Sequence, residues 1–160
     1  MSTQKKSLEN DNTIHHICSG GFIFYKDKET GEIYTLLIKN KKGEIWISKG
    51  HLEEGEDQLQ TAFREIEEET TLKKCSVKHV GFCSLIRYSF TKDGSENNKQ
   101  VYINVFEAME KNDLTPRPED IEVTEILWLR YSDALRTIAF NKEELIRSKN
   151  IYEKYLDGSN

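Results

Sequence analysis

The chain has 160 residues, 36% of them hydrophobic and 32% charged, with a formal net charge of −5. That length suits one domain with a real core. The acidic balance excludes a nucleic-acid scaffold, which needs a basic face, so no long nucleic acid is expected as a partner. No apolar run approaches the roughly 20 residues of a membrane span, so no membrane association is expected either.

Residues 1–13, MSTQKKSLENDNT, are polar and lack the apolar stretch of a signal peptide. They read as a flexible lead-in to one domain over 14–160. Ile17–Lys26 and Ile33–Lys39 read as strands on either side of a turn at Asp27–Glu32, with Thr30-Gly31 as its hinge. A second turn over Asn40–Gly43 precedes a short third strand, Glu44–Ser48, and the Gly50–Glu56 loop leads into a helix from about Asp57 to Thr70. Leu59, Ala62, Phe63, Ile66 and Thr70 recur at helical spacing and predict its buried stripe. Val77–Ser89 and Gln100–Ala108 are rich in β-branched and aromatic residues and read as strands. Between them Thr91–Lys99 reads as a polar hairpin loop, with Asp93-Gly94 as the turn signal. Asp113–Asp120 contains both prolines, Pro116 and Pro118, and predicts an extended surface loop. Glu125–Arg130 is the last predicted strand. A short helix follows from Ser132 and a longer one from Asn141, where Glu144 three residues on suggests a variant capping box. Tight turns between strands, with helices interleaved, predict a mixed sheet covered by helices, an α/β or α+β sandwich.

Cys18, Cys75 and Cys83 are odd in number and form no CxxC pair, which favours reduced thiols in a cytoplasmic setting. Cys75 and Cys83 lie in or beside apolar patterns and are expected to be buried structural thiols. His15, His16, His51 and His79 show no spacing that would hold zinc.

The helix carries a feature that a bare fold does not need. Glu65, Glu68 and Glu69 recur at i, i+3 and i+4, which places three carboxylates on one strip beside the apolar stripe. Like charges at that spacing cost roughly 0.2–0.5 kcal/mol per pair. They also sit toward the C-terminal half, where the helix dipole disfavours anions. A site for a hard divalent cation gives the arrangement a use, because Mg²⁺ and Mn²⁺ prefer carboxylate oxygen and bring the compensating charge.

The spacing from Gly50 through Glu56 and Arg64-Glu65-Ile66-Glu67-Glu68-Glu69 to Leu72 resembles the Nudix box, G-x5-E-x7-R-E-U-x-E-E-x-G-U, with U a bulky aliphatic residue. Every defined position matches except Thr71, where the family has glycine. That glycine lies just past the helix end, where positive φ is common and a β-branched residue is a poor occupant. The resemblance implies an α/β/α sandwich and hydrolysis of a nucleoside diphosphate linked to another group. It implies Mg²⁺ as cofactor, with Mn²⁺ able to substitute. By box position, Glu68 and Glu69 are the implied principal metal ligands, with the Gly50 carbonyl completing the shell. Glu65 is the position that serves as general base in some members and as metal ligand in others. Arg64 would hold the carboxylates and Glu56 would anchor the loop, while Glu53, Glu54 and Glu67 fall outside the motif and read as solvated charges. Members recruit a further acid from downstream, and of Glu122 and Glu125 the former is preferred, because Glu125 begins a strand.

The flanks of the box bear on the substrate. Trp46-Ile47-Ser48-Lys49-Gly50-His51-Leu52-Glu53 resembles the W-x-x-P-K-G-H-x-E entry of diadenosine tetraphosphate hydrolases. Ser48 stands where that pattern has proline, which should loosen the loop, and Trp46 lies one residue closer to the lysine. The resemblance implies that Lys49 contacts a distal phosphate and that His51 lies beside the metal cluster. Tyr88 falls where these hydrolases carry a tyrosine that stacks on adenine, and Tyr102 is a second candidate from the opposite strand. The proline of ADP-ribose hydrolases is missing between Leu72 and Asp113. Lys41 and Lys42 could steer a polyphosphate or simply be solvated in their turn. The reaction implied first is asymmetrical cleavage of a dinucleoside tetraphosphate into a nucleoside triphosphate and a monophosphate. A nucleoside-triphosphate pyrophosphatase is the alternative, followed by a non-catalytic nucleotide sensor, and RNA cap removal is a lesser possibility.

Overall fold

Two apolar clusters, one on each face of a mixed sheet, organise the chain. The structure, a computed structural model, describes residues 12–158. Seven strands are present among these residues: β1 Ile14–Lys26, β2 Ile33–Asn40, β3 Ile45–Trp46, β4 Ser48–His51, β5 Val77–Lys92, β6 Ser95–Ala108 and β7 Val123–Arg130. Helix α1 spans Gln58–Thr70, α2 Tyr131–Thr137 and α3 Lys142–Gly158, with a single 3₁₀ turn at Lys74–Ser76. The order β3-β2-β1-β6-β5 forms the main path, with β4 paired to β1 and β7 to β2. β1 runs parallel to β6 and antiparallel to β2 and β4, so the sheet is mixed.

Strand alternation sends neighbouring β1 residues to opposite faces. Phe22 and Phe24 join Val101, Ile103 and Val105 under α2 and α3, where Ala134, Leu145 and Tyr152 close the first cluster. Ile23 and Phe106 face the other way and meet Ala62 and Ile66 of α1. A helix layer on each face makes the α/β/α sandwich that the family resemblance implies. No helix among the described residues is long and apolar enough to cross a membrane.

Several local expectations change. The expected third strand divides at Ile47: β3 pairs with β2, whereas β4 crosses to β1 and takes Gly50 and His51 out of the expected loop. The expected loop Thr91–Lys99 is a two-residue turn, because Asp93 (φ 53°) and Gly94 (φ 79°) both take left-handed backbone and let pairing continue to Lys92↔Ser95. Cys75 is exposed in the 3₁₀ turn and Cys83 is only half-buried; the buried thiol is Cys18. The apolar residues near Cys75 belong to the end of α1 and the start of β5, and the turn between them leaves its thiol outside. The capping box expected at Asn141 does not form. Asn141 has φ 61°, and its backbone carbonyl, not its side chain, accepts from the Glu144 and Leu145 amides. Of the lead-in expected over 1–13, residues 1–11 lie outside the described residues, and Asn12 and Thr13 directly precede β1.

Candidate active site

Helix α1 is tied at both ends. The Asp57 side chain accepts from the Gln60 amide while the Gln60 side chain accepts from the Asp57 amide, a reciprocal cap. At the other end Thr71 takes φ 69°, and its amide donates to the Glu67 carbonyl. Threonine therefore occupies the left-handed position that glycine takes in the family pattern, and its methyl and hydroxyl make that conformation costly.

Thr61, Ala62, Ile66 and Thr70 are buried, which turns Glu65 and Glu69 toward β4. Gly50 is what lets β4 approach. A Cβ placed there would lie 2.0 Å from the Glu65 carboxyl carbon and 2.1 and 2.4 Å from its oxygens. The glycine of the box serves contact here and not positive φ.

Arg64 is the hub of the acidic face. Its Nε and Nη2 donate to the two Glu56 oxygens at 2.6 and 3.0 Å, Nη1 reaches Glu65 at 2.9 Å and Glu68 at 3.3 Å, and Nη2 also donates to the His51 carbonyl at 2.8 Å. Glu56 further accepts from the Thr61 hydroxyl and the Glu53 amide. The Arg64 bonds, then Thr61 and Glu53, hold its carboxyl at about 2, well below the usual range. Glu53, expected to be solvated, is exposed yet lies 3.5 Å from Arg64.

Glu69 is held separately. Its Oε1 accepts from the Ser48 hydroxyl at 2.8 Å and the Lys49 amide at 2.9 Å. Ser48 therefore does not loosen the loop as expected: it is buried, paired to Gly21 through β4, and fastens a box carboxylate to the sheet. Burial pushes Glu69 up to about 7 despite these donors. Burial also raises Glu65, opposed by Arg64 and reinforced by Glu68. The expected ligands Gly50, Glu65, Glu68 and Glu69 thus line one side of α1. Among the described residues, however, no three His, Cys, Asp or Glu side chains converge in a metal-holding group. Arg64 draws Glu65 and Glu68 to itself, and Ser48 and Lys49 hold Glu69. The donor set still fits a hard cation, since these are carboxylate oxygens and the two buried ones carry a desolvation cost that added positive charge would offset.

Glu122 lies 3.4 Å from Lys41 and shares with Glu69 and Lys49 the wall of a cavity of about 210 Å³. Glu125 instead pairs with Lys39 at 3.7 Å on the sheet edge. An open cleft of about 680 Å³ adjoins this cavity. Lys41, Lys42, Lys49, Lys92 and Lys99 line it with Trp46, Tyr88, Phe90 and Phe140, and Glu44 and Glu122 share its wall. Lys49 sits 5.2 Å over the Trp46 ring and its charge acts on Glu65 and Glu69, while neither Lys49 nor Lys99 is in a close ion pair among the described residues. Burial, then the neighbouring Lys49, lowers the Lys99 pKa.

His51 is at the outer end of β4, its ring 3.0 Å from His16, and it is not part of the cleft wall. Burial lowers its pKa first, followed by Lys99, His16 and Lys49. Tyr88 lines the cleft, but Tyr102 does not. In the pairing Leu85↔Tyr102, its side chain shares the α1 face with Asn104 and packs on Phe82 at 6.2 Å, opposite to Tyr88. The strand parity of β6 decides this, and it places Tyr102 outside the cleft wall. Lys92, Lys99, Phe90 and Phe140 were not candidates from the sequence. The Asp93-Gly94 turn signal was the available clue, because a tight hairpin brings Lys92 and Lys99 to the same end of the sheet.

The NUDIX domain family model matches residues 16–149. A Mycobacterium tuberculosis protein described as a mutator protein, MutT4, is 30% identical over 138 residues, which cover 82% of this chain and 52% of that protein. The chain therefore spans about half the length of that relative. Among solved structures, an Ap4A hydrolase of C. elegans in a binary complex superposes with a TM-score of 0.62 at 21% identity, covering 89% of this chain and 98% of that one. The NUDIX domain of Shewanella oneidensis NrtR, complexed with ADP ribose, gives 0.63 at 15% identity, covering 92% and 96%. At these identities the two structures establish a shared fold.

Proposed function

The chain belongs to the NUDIX domain family, and from that premise we propose that it hydrolyses a dinucleoside tetraphosphate asymmetrically, to a nucleoside triphosphate and a monophosphate. One observation carries this reading: a cleft with five lysines and four aromatic rings opens beside the cavity that Glu69 and Glu122 share. In a chain with net charge −5, that concentration of cations suits a polyphosphate, and the rings suit its bases.

Nudix hydrolases use a divalent metal, and Mg²⁺, replaceable by Mn²⁺, is the ion proposed here. Glu68, Glu69 and the Gly50 carbonyl would hold it, with Glu65 beside them. When bound, it neutralises phosphate oxygens and makes water a better nucleophile. Glu65 accepts the proton of the attacking water as the new phosphorus–oxygen bond forms and the bond to the departing phosphate breaks, a task suited to a carboxyl raised by burial. Arg64 fixes the rotamers of Glu56, Glu65 and Glu68 through its fork of donors. Lys49 binds the phosphate chain, Tyr88 stacks on a base, and Glu122 supplies the downstream acid across the cavity from Glu69. His51, whose carbonyl accepts from Arg64, stands beside the carboxylate flank and outside the cleft wall. The unpaired cysteines suit a cytoplasmic enzyme.

The second reading, a nucleoside-triphosphate pyrophosphatase, is favoured by the 30% identity to the mutator protein. A panel of nucleotides with Mg²⁺ or Mn²⁺, resolved by anion exchange, separates the two. Diadenosine tetraphosphate should give ATP and AMP. Two molecules of ADP would overturn the asymmetrical cut, and rapid pyrophosphate release from nucleoside triphosphates alone would establish the second reading.

A further inference from the structure

The box carboxylates differ in how their two oxygens are occupied. Both oxygens of Glu56 accept from Arg64. Glu65 and Glu68 each accept once, from Arg64 Nη1. Glu69 accepts twice on the same atom. The Ser48 hydroxyl at 2.8 Å and the Lys49 amide at 2.9 Å both donate to Oε1, and among the described residues no hydrogen bond reaches Oε2. We propose that Ser48 is a positioning residue that confines Glu69 to ligation through Oε2 alone, and that it thereby shifts the preference of the metal site toward Mg²⁺ and against Ca²⁺. The proposal rests on the reading of Glu69 as a metal ligand and names what sets the choice of ion.

The two donors are fixed by the sheet and not by the helix that carries Glu69. β4 pairs Ser48 with Gly21 and Lys49 with Gly20 of β1, and Ser48 is buried there. A Cβ at Gly20 would run into the Ser48 carbonyl and the Lys49 Cα, so it is this glycine that lets the donors come so close. The Ser48 hydroxyl has a second acceptor in reach, the Glu65 carbonyl at 3.2 Å. It has one proton, and the shorter bond to the charged oxygen takes it. Ser48 also stands where the W-x-x-P-K-G-H-x-E pattern has proline, a residue without a hydroxyl, so the pattern itself supplies no such donor.

Mg²⁺ and Ca²⁺ ask different things of a carboxylate. Mg²⁺ demands a near-octahedral shell at short distance and keeps several waters, so a single oxygen from a fixed side chain suits it. Ca²⁺ takes about six to eight oxygens in a looser shell and accepts both oxygens of one carboxylate. Two donors point positive hydrogens at Oε1 of Glu69. A cation that reached for both oxygens would meet those hydrogens or have to break the Ser48 bond. Outer partners of this kind change metal affinity by about 10–100-fold.

The test is competition for bound Mn²⁺. Metal-free protein would be titrated with Mn²⁺, its free form read by electron paramagnetic resonance, and the bound ion then displaced with Mg²⁺ or with Ca²⁺. Relative to wild type, Ser48→Ala should shift the ratio of displacing concentrations toward Ca²⁺ by about fivefold or more. Ser48→Thr, which keeps the hydroxyl, should hold the wild-type ratio. Glu69→Gln should weaken Mn²⁺ binding by about tenfold or more, which assigns the competition to this carboxylate. Tm of each metal-free variant separates loss of structure from loss of selectivity, because a collapsed site would release both ions alike. A folded Ser48→Ala variant with the wild-type ratio would overturn the proposal, and so would a folded Ser48→Thr variant that behaves like Ser48→Ala. Mn²⁺ binding that Glu69→Gln leaves unchanged would remove the reading of Glu69 and this inference with it. The nucleotide reaction is judged separately. A selectivity shift in Ser48→Ala, with no nucleotide cleaved by wild type, would retain the role of Ser48 and reject the reaction, whereas cleavage with an unshifted ratio would do the reverse.

Discussion

The flank of α1 that faces β4 and the cleft below the β5–β6 hairpin are built on opposite terms. On the flank every box carboxylate has a protein donor: Glu56, Glu65 and Glu68 share Arg64, and Glu69 has Ser48 and the Lys49 amide. In the cleft, Lys49 and Lys99 are in no close ion pair among the described residues, and large rings stand open. The first region is preorganised, so that its charges are placed before anything binds. The second keeps its binding capacity unspent for a ligand. Changes on the flank should therefore alter the chemical step, and changes in the cleft should alter affinity.

The largest effect is expected from Glu69→Gln. It keeps the Ser48 contact and the helix but removes one proposed anionic ligand, so turnover at saturating Mg²⁺ should fall by about a hundredfold or more, while Tm stays at or above wild type. Chelation of the metal should abolish turnover in the parent chain. A variant retaining more than a tenth of wild-type kcat would break the contrast, since the flank would then be structural.

Tyr88→Ala sharpens it from the other side. Loss of a stacking face should raise KM, with about 1–3 kcal/mol lost from transition-state binding, and kcat should change little. Because Tyr88 is 39% exposed, Tm should fall far less than for a core aromatic. A large drop in Tm with KM unchanged would show that the ring supports the sheet. Tyr88→Phe should keep most activity.

Acid stability tests whether the flank is as tightly held as its geometry shows. The Glu56 carboxyl is lowered to about 2, principally by Arg64. Its ionised form is thus favoured in the folded state, and the stability it adds is present above the unfolded pKa of about 4.5. That contribution should disappear as pH falls from about 4.5 toward 2. Glu56→Gln should flatten the Tm–pH curve across that window, and an unchanged curve would mean that the pair with Arg64 is thermodynamically silent.

Thr71→Gly should give the smallest effect. Relief of a left-handed threonine should add about 1 kcal/mol of stability or less, with kcat unchanged, as read by chemical denaturation. A change in kcat would mean that the helix end is coupled to the carboxylates.

The acidic flank was legible because its determinants are local. Glu65, Glu68 and Glu69 share a helix face through a repeat of 3.6 residues, and the apolar stripe of Leu59, Ala62 and Ile66 orients that face without reference to the rest of the chain. The layered fold was legible for the same reason, since alternation and turn signals mark each strand. Residues far apart in sequence were decided by register, which only the assembled sheet contains. Tyr88 and Tyr102 look equivalent as strand aromatics, but the pairing Leu85↔Tyr102 puts them on opposite faces. Ser48 looked like a lost proline until β4 crossed to β1 and brought its hydroxyl to Glu69. The backbone of Asn141, which takes φ 61° and leaves capping to its main-chain carbonyl, was likewise not legible in the sequence. Periodicity along one element is set by its own residues, whereas contact between elements depends on parity, closure and burial that exist only once the sheet has formed.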